Sequence, residues 1–226
     1  MIIRKRWFVL AIITFAAAYV LLTQPITLLV WEFNYYRFNT TQAIARVRRL
    51  QYVFVGDSLT ANVYYWGTRM GGSPFSAVNL AVSGHTISQI EPQLDEAARL
   101  RPRYVSVLAG TNDYSFGRSD QQILGDFRSF LQRAHDLGLS PVIVTSIPVH
   151  AQTADDARLI DLNQDLRKLV EAHHFRFLDL NASILERRDR ATLYWSDGIH
   201  FSPQMYELWT EKLRNLFNQS GEAGHQ

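Results

Sequence analysis

The chain has 226 residues, 47% of them hydrophobic, with no Cys and a formal net charge of +2. The length suits one domain with an appendage, and the apolar content excludes a disordered chain. Without Cys there is no disulfide framework, zinc-thiolate site, iron–sulfur cluster or Cys nucleophile, and so small a surplus of charge gives no case for nucleic-acid binding.

The charge is unevenly placed. Arg4, Lys5 and Arg6 stand together, residues 7–31 carry no Asp, Glu, Lys, Arg or His, and 20 basic against 21 acidic side chains remain from Glu32 onward. A bilayer core about 30 Å thick needs roughly 20 apolar residues of helix. Residues 7–31 meet that length, with aromatic residues at both ends. They read as an uncleaved transmembrane helix whose firmest part is 7–22, Pro25 kinking or ending it. The rivals are a cleaved signal peptide, with Ala16-Ala17-Ala18 as its small-residue site, and a buried soluble helix. Cleavage there would leave an apolar new terminus. The basic flank places the N-terminus in the cytoplasm and the rest of a single-pass protein outside it. Three segments follow: a membrane anchor (1–31), a juxtamembrane connection (32–50) and a catalytic domain (51–226).

Beyond residue 50, short β-branched runs alternate with longer amphipathic ones. Residues 52–55, 77–82, 104–108, 142–145 and 175–178 read as strands. Ile87, Ile90, Leu94, Ala97 and Ala98 recur at helical spacing. Ser119 caps a helix with Ile123, Phe127, Phe130 and Leu131 on one face. Residues 157–173 form a helix bearing Leu159, Leu162, Leu166 and Leu169. Ser202-Pro203 opens the last helix, with Leu208, Leu213 and Phe217 inward. Alternating strands and helices predict an α/β protein with a parallel sheet covered on both faces, where ligands sit beyond the carboxyl ends of the strands.

The polar residues at those ends are the candidates. Ser58 follows the first strand in Gly56-Asp57-Ser58-Leu59, and reads either as a nucleophile or as a helix cap. Gly84 follows the second strand and reads as an oxyanion donor or a turn glycine. Asn112, in Gly110-Thr111-Asn112-Asp113, reads as a donor or an Asx-turn. Asp197 and His200, in Asp197-Gly198-Ile199-His200, are spaced so that the carboxylate can reach the imidazole Nδ1–H and set its tautomer.

Taken together, these blocks resemble the SGNH hydrolases, also called the GDSL lipase/esterase superfamily, over nearly the whole chain beyond Tyr52. The resemblance implies a three-layer α/β/α sandwich with a flavodoxin-like five-stranded parallel sheet. It implies a catalytic triad of Ser58, Asp197 and His200, an oxyanion hole built from Ser58, Gly84 and Asn112, and no metal or organic cofactor. The expected activity is serine esterase chemistry on acyl, foremost acetyl, esters of glycans or lipids, on a small-molecule or polymer-borne substrate. The alternatives are O-acyl transfer from the same acyl-enzyme and lysophospholipase-like lipid hydrolysis.

Asp57 and Asp113 read as structural hydrogen-bonding groups, and so does Asn163. His85 reads as a substrate contact or a surface residue. His173-His174 has the wrong spacing for a metal pair on one helix face. Tyr64-Tyr65-Trp66 and Tyr194-Trp195 either offer ring faces to substrate or pack in the core. Asn39-Thr40-Thr41 and Asn181-Ala182-Ser183 match glycosylation acceptors by pattern alone.

Overall fold

Buried β-branched runs set the centre of the protein. In the computed structural model, which describes residues 50–151 and 156–222, these runs become five strands. They are β1 (Tyr52–Gly56), β2 (Ala77–Asn79), β3 (Tyr104–Leu108), β4 (Val142–Thr145) and β5 (Arg176–Leu178). All pair in parallel, in the order β2-β1-β3-β4-β5. The register sets Tyr52 opposite both Ala77 and Tyr104, Val105 opposite Val142, and Ile143 opposite Arg176. Every residue of β3 and β4 is buried, as a strand covered on both faces must be, and so both read as mainly apolar runs in which only Ser106 and Thr145 are polar.

The helices are α1 (Ser58–Ala61), α2 (Trp66–Arg69), α3 (Ile87–Ile90), α4 (Gln93–Leu100), α5 (Thr111–Ser115), α6 (Asp120–Asp136), α7 (Asp156–Ala172), α8 (Leu180–Leu185) and α9 (Pro203–Glu222). Helices α4, α6 and α7 cover one face, with α3 packed on α6 and α6 on α7. On the other face Trp66 of α2 stacks on Phe54 at 3.9 Å and meets Trp209 of α9 edge-on at 5.0 Å. The result is the expected three-layer α/β/α sandwich.

Several expectations change in detail. The face formed by Ile87, Ile90, Leu94 and Ala97 is fully buried, but it belongs to two helices. Pro92 lacks the N–H a continuous helix needs and ends up capping α4. Strand β2 stops at Asn79 rather than at residue 82, because the Asn79 Oδ1 accepts from the Ala81 N–H at 3.1 Å and turns the chain. In α9 the inward residues are Met205, Trp209, Leu213 and Phe217, while Leu208 lies at the margin. Helix α6 begins as expected, with a capping box joining Ser119 and Gln122.

The expected transmembrane helix at 7–31, the connection up to residue 49 and the Asn39 pattern lie outside the described residues. Among the described residues no helix is long and apolar enough to cross a membrane. Asn181 is buried. Its Oδ1 accepts from the Val149 N–H at 2.9 Å and its Nδ2 donates to the Ile147 carbonyl at 2.8 Å, so it is a structural clamp. Asn163 grips the same segment, accepting from the Ile147 N–H at 2.8 Å and donating to its carbonyl at 2.9 Å.

Candidate active site

The strand order reverses between β1 and β3, and a doubly wound sheet opens a crevice at that point. The chain closes there tightly. A Cβ on Gly56 would stand 2.3 Å from the Leu108 carbonyl oxygen, so only glycine lets the first turn approach β3 this closely. Gly110, at φ +99°, enters α5 in a left-handed conformation, where a Cβ would meet the Ile147 side chain at 2.7 Å.

Ser58 opens α1, but Asp57 is the residue that caps it, Oδ1 accepting from the Leu59 N–H at 3.0 Å. The Ser58 hydroxyl is thereby free to meet another group. It lies 3.0 Å from the His200 Nε2, a residue 142 positions away. The His200 Nδ1 lies 2.7 Å from the Asp197 Oδ2. The other carboxylate oxygen of Asp197 accepts from the N–H groups of Ile199 and His200, each at 2.9 Å. Those hydrogen bonds, the one from Ile199 foremost, hold the Asp197 carboxyl down at about 2, so it is an anion at any ordinary pH.

The turn carrying this pair is pinned from both sides. Tyr194 and Phe201 form an antiparallel bridge, the Trp195 N–H donates to the His200 carbonyl at 2.8 Å, and the Ala151 N–H donates to the Gly198 carbonyl at 3.0 Å. Tyr206 of α9 then donates its hydroxyl to the Leu59 carbonyl at 2.8 Å, tying the helix after His200 to the helix that begins with Ser58.

The loops after β2 and β3 are joined to each other. The Asn112 Nδ2 donates to the His85 carbonyl at 2.9 Å, which couples Asn112 to the residue after Gly84. One amide hydrogen of Asn112 is used in this way and one remains. Among the described residues, the N–H groups of Ser58 and Gly84 donate to no protein acceptor. Gly84, at φ +81°, is exposed.

A hydroxyl, an imidazole and a carboxylate in this series can generate an alkoxide equivalent. The unspent N–H groups of Ser58, Gly84 and Asn112 are of the kind that can receive the negative charge that follows.

Residues 54–208 match the profile of the GDSL-like Lipase/Acylhydrolase family. The chain belongs to this family. It is thus a serine hydrolase that acts on esters. Among solved structures, this GDSL-like hydrolase is similar to a GDSL-like lipase from Bacteroides thetaiotaomicron, with 20% identity and a TM-score of 0.66, over 83% of this chain and 98% of that one. It is also similar to a lipase/acylhydrolase from Enterococcus faecalis, with 21% identity and a TM-score of 0.64, over 76% and 96% of the two chains. At such identities the likeness is one of fold. A search of curated proteins gave no match.

Some contacts of the hydrolase have no counterpart in the sequence reading. Asn79 donates to the carbonyls of Thr60 and Val63, at 3.0 and 3.1 Å, and so fixes the end of α1. The one available signal was an Asn inside the run read as the second strand. The Tyr206 strut and the His85 carbonyl left no signal, because both depend on long-range packing. Asp113 is fully buried, accepts from the Ile87 N–H at 2.9 Å and pairs with Arg118, which also pairs with Asp126 at 2.6 Å. Of the aromatic residues flanking the site, Trp66 and Tyr194 are core, while Tyr64, Tyr65 and Trp195 are exposed.

Proposed function

We propose that Ser58 is the nucleophile of a membrane-anchored esterase, with His200 as its general base and Asp197 as the group that orients His200. The observation that carries this reading is the unbroken series Asp197–His200–Ser58, with steps of 2.7 and 3.0 Å. His200 takes the Ser58 proton as Oγ attacks the ester carbonyl. The tetrahedral oxyanion is held by the N–H groups of Ser58 and Gly84 and by the remaining Asn112 amide hydrogen. His200 then protonates the leaving alcohol, and a water activated by His200 frees the acid. The side chains of His200 and Asp197 are 37% and 48% exposed, which leaves the base open to that water.

The substrate we favour is an acetyl ester on a glycan. Trp195, exposed beside the last site segment, suits stacking on a sugar. The charge-free run at 7–31 behind a basic cluster supports a single membrane span, with the catalytic domain on the extracytoplasmic side.

The test uses the full-length protein on short- and long-chain acyl esters and on acetylated glycans, with Ser58→Ala in parallel. Acetyl preference is expected, and Ser58→Ala is expected to fall to background while its circular dichroism is unchanged. Full activity in that variant ends the nucleophile assignment. A long-chain preference replaces glycan with lipid, and transfer to added glycan alcohols at the expense of hydrolysis makes the protein a transferase.

A further inference from the structure

The last residue of β1 is held by a side chain at the point where a neighbouring strand ordinarily holds it. The β1–β2 register sets Tyr52, Val53 and Phe54 opposite Ala77, Val78 and Asn79, and the Leu80 N–H carries the ladder on to the Phe54 carbonyl at 2.8 Å. In a parallel ladder of this register the next residue facing β2, Gly56, gives its N–H to the Leu80 carbonyl and receives the Val82 N–H. Only the second of these bonds forms, the Val82 N–H reaching the Gly56 carbonyl at 3.0 Å. The chain has already turned at Asn79, whose side chain takes the Ala81 N–H. The Gly56 N–H donates instead to Oε1 of Gln93 at 3.1 Å, and the Gln93 Nε2 donates back to the Gly56 carbonyl at 3.4 Å.

The place needs such a hold. Gly56 stands two residues before Ser58, and the close approach to the Leu108 carbonyl admits no Cβ there. A glycine restricts its own backbone least of all residues, so the turn behind it depends on outside contacts for its direction. On the β3 side the contact is long, the Asp57 N–H meeting the Leu108 carbonyl at 3.4 Å. On the β2 side the Gln93 carboxamide supplies the missing rung. It does so from a firm base, since Gln93 opens α4, which buries Leu94, Ala97 and Leu100 in the core.

We propose that Gln93 is a positioning residue for the reaction: its carboxamide replaces the absent rung of β2, fixes the Gly56 backbone, and so keeps the Ser58 hydroxyl within reach of the His200 Nε2. The far end of the same segment is held by other groups, Tyr206 on the Leu59 carbonyl and Asn79 on the carbonyls of Thr60 and Val63. Gln93 holds its entry. The Gly56 carbonyl also receives Val82, two residues before Gly84, so the clamp bears on the loop that carries Gly84 as well. The proposal rests on the assignment of Ser58 and His200 to the reaction, but the hold on Gly56 can be observed without turnover.

The test compares full-length wild type, Gln93→Leu and Gln93→Glu. Leu fills a similar volume and makes neither bond. Glu keeps the acceptor for the Gly56 N–H and loses only the longer bond. On p-nitrophenyl acetate, Gln93→Leu is expected to lose roughly 10- to 100-fold in kcat with KM within about threefold of wild type, and Gln93→Glu to fall between the two. Hydrogen exchange read by mass spectrometry over the segment 52–58 is expected to quicken by about tenfold or more in Gln93→Leu and to stay near wild type in Gln93→Glu. Because the clamp acts by bringing Ser58 to His200, Gln93→Leu placed on His200→Ala is expected to cost less than about threefold further. A Leu variant with kcat within about threefold of wild type, or with unchanged exchange over 52–58, overturns the proposal. So does a full second loss on the His200→Ala background, which marks general damage to the fold. If Gln93→Leu fails to fold, Gln93→Glu decides alone, and rapid exchange of its Gly56 segment overturns the clamp. If Ser58→Ala stays active while Gln93→Leu releases the Gly56 segment, the nucleophile assignment has failed and the hold on Gly56 stands.

Discussion

Asn112→Ala separates the contact this amide makes from the oxyanion role proposed for it. One hydrogen holds the His85 carbonyl at 2.9 Å, and the other is free to meet the oxyanion. The first job is structural and modest. A single net hydrogen bond contributes about 1 kcal/mol, and the half-buried setting of Asn112 lets water replace part of it. For a domain of this size that is a fall in Tm of about 2–4 °C. The second job is catalytic and larger, because the donor acts only when charge has developed. Losing an oxyanion donor costs about 10²–10³ in kcat, or roughly 2.7–4 kcal/mol of transition-state stabilisation. The assay is kcat on p-nitrophenyl acetate beside a thermal melt. Asn112→Asp sharpens it, since Asp keeps the shape, removes both hydrogens and adds an anion where an anion forms. It should be at least as slow as Ala. If both variants fold and keep kcat within threefold of wild type, Asn112 is a loop tie and no oxyanion donor.

Three further outcomes follow from the structure. The Asp197 carboxyl is lowered to about 2 in the folded protein, so it stabilises the fold above the ordinary carboxylate value of 3.8 and loses that contribution as pH falls from there towards 2. Asp197→Asn should therefore lower Tm at pH 5, with the gap to wild type closing towards pH 2, while Asp197→Ala should reduce kcat less than loss of Ser58 or His200 does; a gap that does not change with pH refutes the linkage. Trp209 is fully buried against Trp66, Phe201 and Tyr206, and its Nε1 donates to the buried Thr145 hydroxyl at 3.1 Å. Trp209→Ala should cost about 3–5 kcal/mol, a Tm fall of about 6–20 °C, and a fall below 5 °C would show that this aromatic cluster collapses into the gap.

The strands were legible because burial on both faces leaves a run such as Tyr104-Val105-Ser106-Val107-Leu108 almost no polar alternation to obscure it. Helix α6 was legible through its cap and its length. Helices α1, α2, α5 and α8 were not, because four to six residues do not complete two turns and show no period. Pro92 was visible, but the apolar spacing around it was read as one helix, and the break prevailed because a proline cannot supply the missing N–H. At the site, the sequence and its family resemblance supplied residue identities and their places after strands. What they could not supply were contacts to backbone atoms, such as Asn112 with the His85 carbonyl and Tyr206 with the Leu59 carbonyl. Any residue type can present a carbonyl, so such partners leave no mark in composition or spacing.

The two contacts of His200 are built on different scales, and this orders how the site should fail. The bond to Asp197 closes within one turn, three residues long, and that turn also fixes the carboxylate through the Ile199 and His200 N–H groups. It needs little more than the local chain. The contact with Ser58 spans 142 positions. It exists only while α9 stays seated, through the Tyr206 hydroxyl on the Leu59 carbonyl and through Trp209 on Thr145 and the Phe54–Trp66 stack. Orientation of the proposed base is therefore local, whereas its delivery to the proposed nucleophile depends on the whole second layer of the sandwich. A substitution in α9 can lower kcat by moving His200 away from Ser58 while the Asp197–His200 pair remains intact.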